Sequence, residues 1–150
     1  MNFAVITAAL LLSAGPVLAS EGDAKDLQAQ RNYLQYCSGC HLQDGMGKPN
    51  KGIPAMKDKV GRFLDADGGR AFIVQVPGVM NTPLSDAQIA DLMNWVLRGM
   101  AGSSTPPHTA PYTTAEVAQL RASRPADVPA TRALIVERLR ATGVPQEQLP

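Results

Sequence analysis

Cys37-Ser38-Gly39-Cys40-His41 constrains this chain more than any other stretch of it. Two thiols three positions apart share one short turn, and the next residue sets an imidazole beside them. Four chemistries use such a pattern. A structural zinc site normally needs four Cys or His ligands, whereas the chain holds two cysteines and, besides His41, only the distant His108. A thioredoxin-like redox pair belongs at a strand–helix junction in a βαβ pattern, and no such pattern surrounds Cys37. A disulfide across two intervening residues would close a very small loop and add little stability. Covalent haem attachment suits all five residues: the thiols would reach the two vinyl groups along one porphyrin edge, and His41 would sit over the iron.

One chain of 150 residues makes about one domain, and its first residues stand apart from the rest. Phe3 to Leu12 is almost wholly apolar, and Ser13-Ala14-Gly15-Pro16 breaks the run. Val17-Leu18-Ala19 supplies small residues at the cleavage positions, and Ser20-Glu21 begins a polar chain. This predicts a secretory signal peptide over residues 1–19, cut after Ala19, and a periplasmic mature protein off the membrane. The n-region lacks Lys and Arg, which leaves an uncleaved anchor as the second reading. The run is nevertheless short of the ~20 apolar residues a span needs. A formal net charge of +1 makes no case for nucleic-acid binding. With one Trp, three Tyr and three Phe, the core lacks aromatic bulk that a buried haem would supply.

The pattern along the chain predicts an all-α fold. A helix is expected over Asp26 to Tyr36, with Leu27, Leu34 and the row Ala29, Tyr33, Cys37 at helical spacing. Leu42 to Lys59 reads as loop. Gly69 to Val76 is a short apolar helix stopped by Pro77-Gly78, and Val79 to Leu84 is loop. Ser85 and Gln88 form a capping box that opens a helix through Arg98, with Ile89, Leu92 and Val96 as its stripe. Residues 101–112 are a Pro-rich linker. Thr113 and Glu116 predict a second box and a helix to about Arg124. A last helix runs from Pro129 through Arg140, with Leu134, Ile135 and Leu139 on one face. The organisation is thus a haem domain over 20–100, a linker over 101–112 and a C-terminal helical extension over 113–150.

From about Asp26 to Arg98 the chain resembles a small class I c-type cytochrome. Ala29 and Tyr33 fall where that family has a small residue and an aromatic on its N-terminal helix. Leu92 and Trp95 fall where its C-terminal helix crosses that helix. Gly52-Ile53-Pro54-Ala55-Met56 resembles the segment whose prolyl carbonyl accepts a hydrogen bond from the axial imidazole. The resemblance therefore implies that Pro54 orients His41 and that Met56 fills an apolar slot. Gly61-Arg62 resembles a pair whose arginine faces a haem propionate, a carboxylate that a guanidinium meets with two parallel hydrogen bonds. A solvated surface Arg62 is the other reading.

The resemblance also implies a methionine as sixth ligand, in a Pro-rich loop just before the last helix of the haem domain. Met80, between Pro77 and Pro83, occupies that place. Met46 follows His41 too closely to wrap round a porphyrin, Met93 lies inside a helix and Met100 beyond it. His108 and an open or water-filled position remain the alternatives.

The implied protein carries one covalent haem c, held by Cys37 and Cys40, with His41 and Met80 as axial ligands and Pro54 and Arg62 around it. Its implied work is single-electron transfer, without catalysis, between a redox donor and an acceptor in a respiratory chain. The long extension raises a second possibility, a dedicated subunit accepting electrons from a periplasmic flavin- or quinone-cofactor dehydrogenase. An open-site haem enzyme such as a peroxidase is a third. Lys48, Lys51, Lys57 and Lys59 suggest a basic rim that steers an acidic partner, diluted by Asp44 and Asp58.

Overall fold

Short polar side chains and prolines decide where the helices begin. The computed structural model describes residues 20–150, so the expected signal peptide lies outside the described residues. Helix α1, Glu21–Tyr36, starts earlier than the expected Asp26. Ser20 accepts from the Asp23 N–H while the Asp23 carboxylate accepts from the Ser20 N–H, a capping box built with Asp. The single turn α2, Ser38–His41, follows at once. After a 3-10 turn at Val60–Asp65 come α3, Gly69–Gln75, and α4, Pro77–Met80. That last turn stands where loop was expected from Val79, because Pro77 presets the helical φ of its first residue.

Ser85 and Gln88 form the expected box that opens α5, Asp86–Trp95. The helix then widens into a π-type turn, Val96–Met100, beyond the expected stop at Arg98. Helix α6 spans Thr114–Arg121, short of Arg124. Only half of its box forms. Thr113 accepts from the Glu116 N–H, but the Glu116 carboxylate is taken by Arg70 instead of turning back to the cap. Asp127 caps α7, Val128–Ala141, with Pro129 in its first turn. The described residues contain no strand, only an isolated bridge between Lys48 and Ile53; the fold is all-α.

Helix α1 crosses α5. Ala29 and Tyr33 are buried against the face that carries Leu92, and the Tyr33 and Trp95 rings meet at 5.6 Å. Leu27 and Leu34, expected on the inner stripe, are 52% and 44% exposed. The crossing uses the small Ala29 and the ring of Tyr33, and those two lie on another face of the helix. On α7 the inner row is Ile135, Val136 and Leu139. Leu134 is 61% exposed, because it stands one residue, about 100° of helix, away from Ile135.

The extension packs back on the rest of the chain. Tyr112, Val117 and Ile135 join one core with Tyr33, Phe63, Phe72 and Ile89. The segment before it is held as well. Asn94 donates to the Tyr112 carbonyl at 2.9 Å and accepts from the Tyr112 N–H at 2.7 Å. The buried Ser104 hydroxyl accepts from the Gly61 N–H at 3.1 Å. Glycine at 61 allows this contact, since a Cβ there would run into the Ser104–Thr105 backbone.

Candidate haem-attachment site

The Cys-Ser-Gly-Cys-His turn is continuous with α1: the Cys37 N–H donates to the Tyr33 carbonyl at 2.9 Å, and the His41 N–H to the Cys37 carbonyl at 2.9 Å. Both thiols are free. Cys37 packs partly against the core and Cys40 is exposed. Burial, with a smaller contribution from Cys40, pushes the Cys37 thiol up to about 11.

His41 Nδ1 lies 3.2 Å from the Pro54 carbonyl oxygen. A carbonyl can only accept, so Nδ1 carries the hydrogen and Nε2 keeps its lone pair. Burial holds the imidazole below its ordinary value and outweighs the opposing effect of the Pro54 bond. The ring is thus neutral and turned for ligation through Nε2.

Leu42 and Gly47, which sequence reasoning passed over, and the hydroxyl of Tyr33 hold this arrangement. Leu42 has φ 63° and ψ 168°, a region that costs a non-glycine residue about 1–3 kcal/mol. The Tyr33 hydroxyl donates to the Leu42 carbonyl at 2.6 Å and so ties that residue down; burial raises this hydroxyl to about 12. Gly47, at φ 65°, donates its N–H to the His41 carbonyl at 2.9 Å. A Cβ at 47 would run into the Pro54 carbonyl, the acceptor for His41. The spaced glycines of Gly45-Met46-Gly47 were the available signal. Lys48 and Ile53 then close the loop with paired backbone bonds of 2.9 and 3.2 Å.

Met80 is half-buried at the end of α4, its N–H bonded to the Val76 carbonyl at 3.0 Å. Met56 packs against the core, Met93 is buried, Met100 lies against Gly45, and Met46 is 48% exposed. His108 is exposed, at φ 63°.

Arg62 reaches the far end of the chain. Its Nη2 donates to Gln148 Oε1 at 3.0 Å and its Nη1 lies 3.6 Å from the Asp65 carboxylate. Its Nε is buried with no partner among the described residues. Two of the four rim lysines are engaged: Lys48 donates to the Gly39 carbonyl at 2.9 Å and Lys59 to the Leu149 carbonyl at 3.2 Å. Lys51 and Lys57 remain exposed.

These residues suit a porphyrin. No group of three or more His, Cys, Asp or Glu among the described residues could hold a metal unaided. Two unpaired thiols and one neutral imidazole on a single turn fit a metal already bound in a ring. The orphaned Arg62 Nε also wants an acceptor such as a propionate.

Fold and site together define a haem-binding helical protein, and comparison with known proteins narrows the class. A cytochrome c-552 of Thermus thermophilus is 31% identical over 134 residues, covering 77% of this chain and 85% of that protein. A second Thermus thermophilus cytochrome c-552 is 29% identical over 106 residues, covering 59% of this chain and 80% of its own length. No family model matches. The chain belongs to the small c-type cytochromes: its cofactor is covalently bound haem c and its work is electron transfer.

Proposed function

We propose that this cytochrome is a periplasmic monohaem carrier that moves single electrons between protein partners without catalysing a reaction of its own. Cys37 and Cys40 would hold the haem as thioethers, His41 Nε2 and Met80 Sδ would ligate its iron, and Pro54 and Arg62 would orient the imidazole and a propionate. The observation that carries this reading is the 3.2 Å contact of His41 Nδ1 with the Pro54 carbonyl beside two free thiols. It fixes the tautomer that leaves Nε2 available and raises the basicity of the ring.

When bound, haem c supplies a one-electron Fe(III)/Fe(II) couple, and a thioether opposite imidazole raises its potential relative to two imidazoles. The chain supplies rigidity. The Tyr33 bond to Leu42 and the Gly47 bond to His41 hold the turn that carries His41, so little need rearrange as the charge changes. Among the described residues no helix is long and apolar enough to cross a membrane. The apolar row of α7 is spent on packing within the chain, which favours a free carrier over a subunit that uses this row to clasp a dehydrogenase.

Mass spectrometry of the exported, denatured chain should show one added haem and cleavage after Ala19. The oxidised protein should show the weak iron–sulfur charge-transfer band at the red end of its spectrum. Met80→Ala should abolish that band, and Met56→Ala and Met100→Ala should keep it. A band that survives Met80→Ala overturns the axial assignment.

A further inference from the structure

Resting on the reading that Met80 is the sixth ligand, we propose that Arg121 and Arg124 of the C-terminal extension are positioning residues for the methionine loop, and that they set how readily Met80 leaves the iron. The loop from Asn81 to Ser85 has little structure of its own. Its first residues reach back to α4: the Asn81 N–H donates to the Pro77 carbonyl at 3.0 Å, and the Thr82 N–H and hydroxyl to the Val79 carbonyl at 3.3 and 3.0 Å. The extension supplies the outer ties. Arg121 Nη1 donates to the Leu84 carbonyl at 3.0 Å and to the Asp86 carboxylate at 2.7 Å, and its Nη2 lies 3.5 Å from the Thr82 carbonyl. Arg124 Nη2 donates to Asn81 Oδ1 at 2.8 Å. The residue directly after Met80 and three of the next five are therefore held by two guanidinium groups from one helix end.

That helix end is itself fixed. Gln75, the last residue of α3, donates through Nε2 to the Leu120 carbonyl and to the Ser123 hydroxyl, both at 3.0 Å. Both contacts flank Arg121. Val117, one turn earlier, is fully buried in the core. Arg121 is mostly covered, with 19% of its side chain exposed. Its planar fork can serve several acceptors at once, which a lysine ammonium cannot do in the same geometry.

A loop bearing a weak ligand is in equilibrium with an open form, and an outside ligand takes the iron only from that open form. The apparent affinity of the outside ligand then measures the open fraction. The probe is imidazole, titrated into the oxidised holoprotein and followed through the charge-transfer band. Arg121→Gln should raise the apparent imidazole affinity about tenfold, and Arg124→Gln about threefold, as expected for lost hydrogen bonds to a charged donor. Arg138→Gln removes a bond of the same kind from α7 to the Asp67 carbonyl and should leave the affinity within about twofold. Amide exchange at Thr82, Leu84 and Ser85 should speed up in Arg121→Gln while that of α1 stays unchanged.

If Arg121→Gln gives no folded holoprotein, Arg121→Lys and the exposed Arg124→Gln carry the test. An imidazole affinity unmoved in Arg124→Gln and in the folded Arg121 variant overturns the proposal, as does an equal rise in Arg138→Gln. Retention of the band in Met80→Ala overturns the ligand reading itself, and this proposal with it.

Discussion

Arg70 fastens the extension to the haem-binding part of the chain, and its removal has a cost that can be worked from the contacts. Its Nε and Nη2 meet the two Glu116 oxygens at 2.6 and 2.8 Å. Nη1 and Nη2 also donate to the Ala110 and Pro111 carbonyls at 2.9 and 3.2 Å. The guanidinium lies 3.9 Å from the Tyr112 ring centroid, and the Tyr112 hydroxyl donates to the Arg70 carbonyl at 2.7 Å. The ion pair is about one-third exposed on both sides, so solvent screening brings it to about 1 kcal/mol despite its bidentate geometry. The ring contact adds about 0.5–1 kcal/mol, and the two carbonyl bonds about 1 kcal/mol together.

Arg70→Ala should therefore destabilise the holoprotein by about 2–3 kcal/mol, a Tm loss of roughly 4–12 °C. Glu116→Gln should cost about 1 kcal/mol, with a coupling of about 1 kcal/mol in the double-mutant cycle. The assay is urea unfolding followed by far-ultraviolet circular dichroism. The hydrogen bond from Arg70 is the main cause that holds the Glu116 carboxyl below its ordinary value. A lowered carboxyl contributes stability in full above its unfolded value of about 4.3 and loses it as pH falls through the folded one. The coupling should be flat from about pH 7 to 5.5 and should fade below about pH 4. A coupling under about 0.3 kcal/mol at neutral pH, or one that grows on acidification, would refute the reasoning.

Other outcomes follow from single contacts. Leu139, fully buried beneath α7, should cost about 2–4 kcal/mol as Leu139→Ala, whereas the exposed Leu134→Ala should stay within about 0.5 kcal/mol; thermal melts separate them. Tyr33→Phe removes the donor to the Leu42 carbonyl and should cost about 1–2 kcal/mol in urea unfolding. Gly47→Ala sets a methyl against the Pro54 carbonyl at a positive φ. It should destabilise by at least about 2 kcal/mol and lower the yield of low-spin holoprotein, read from melts and the optical spectrum.

What the chain declares before any coordinates is local. Two thiols and an imidazole on one turn need no tertiary contact to declare their chemistry, and Ser85 with Gln88 announces α5 within four residues. Pro54 carries no such local signal, and its part rests on the 3.2 Å contact with His41 Nδ1. The unread parts depend on partners far away in sequence. Glu116 looked like a cap residue until Arg70 took its carboxylate, and Leu27 and Leu34 looked like core until α5 settled on the Ala29 side of α1. Gln148, across 86 positions from Arg62, left no trace that a pattern could reveal.

Helix starts are matters of near neighbours, so the order of residues was enough to specify the helical class and the caps at Ser85 and Thr113, though not those at Ser20 and Asp127. The direction in which each helix turns its apolar side, the pairing of its charges and the grip of Arg121 and Arg124 on the segment after Met80 arise only once the helices meet. These features are contacts between surfaces, and a linear pattern carries the surfaces without their pairing.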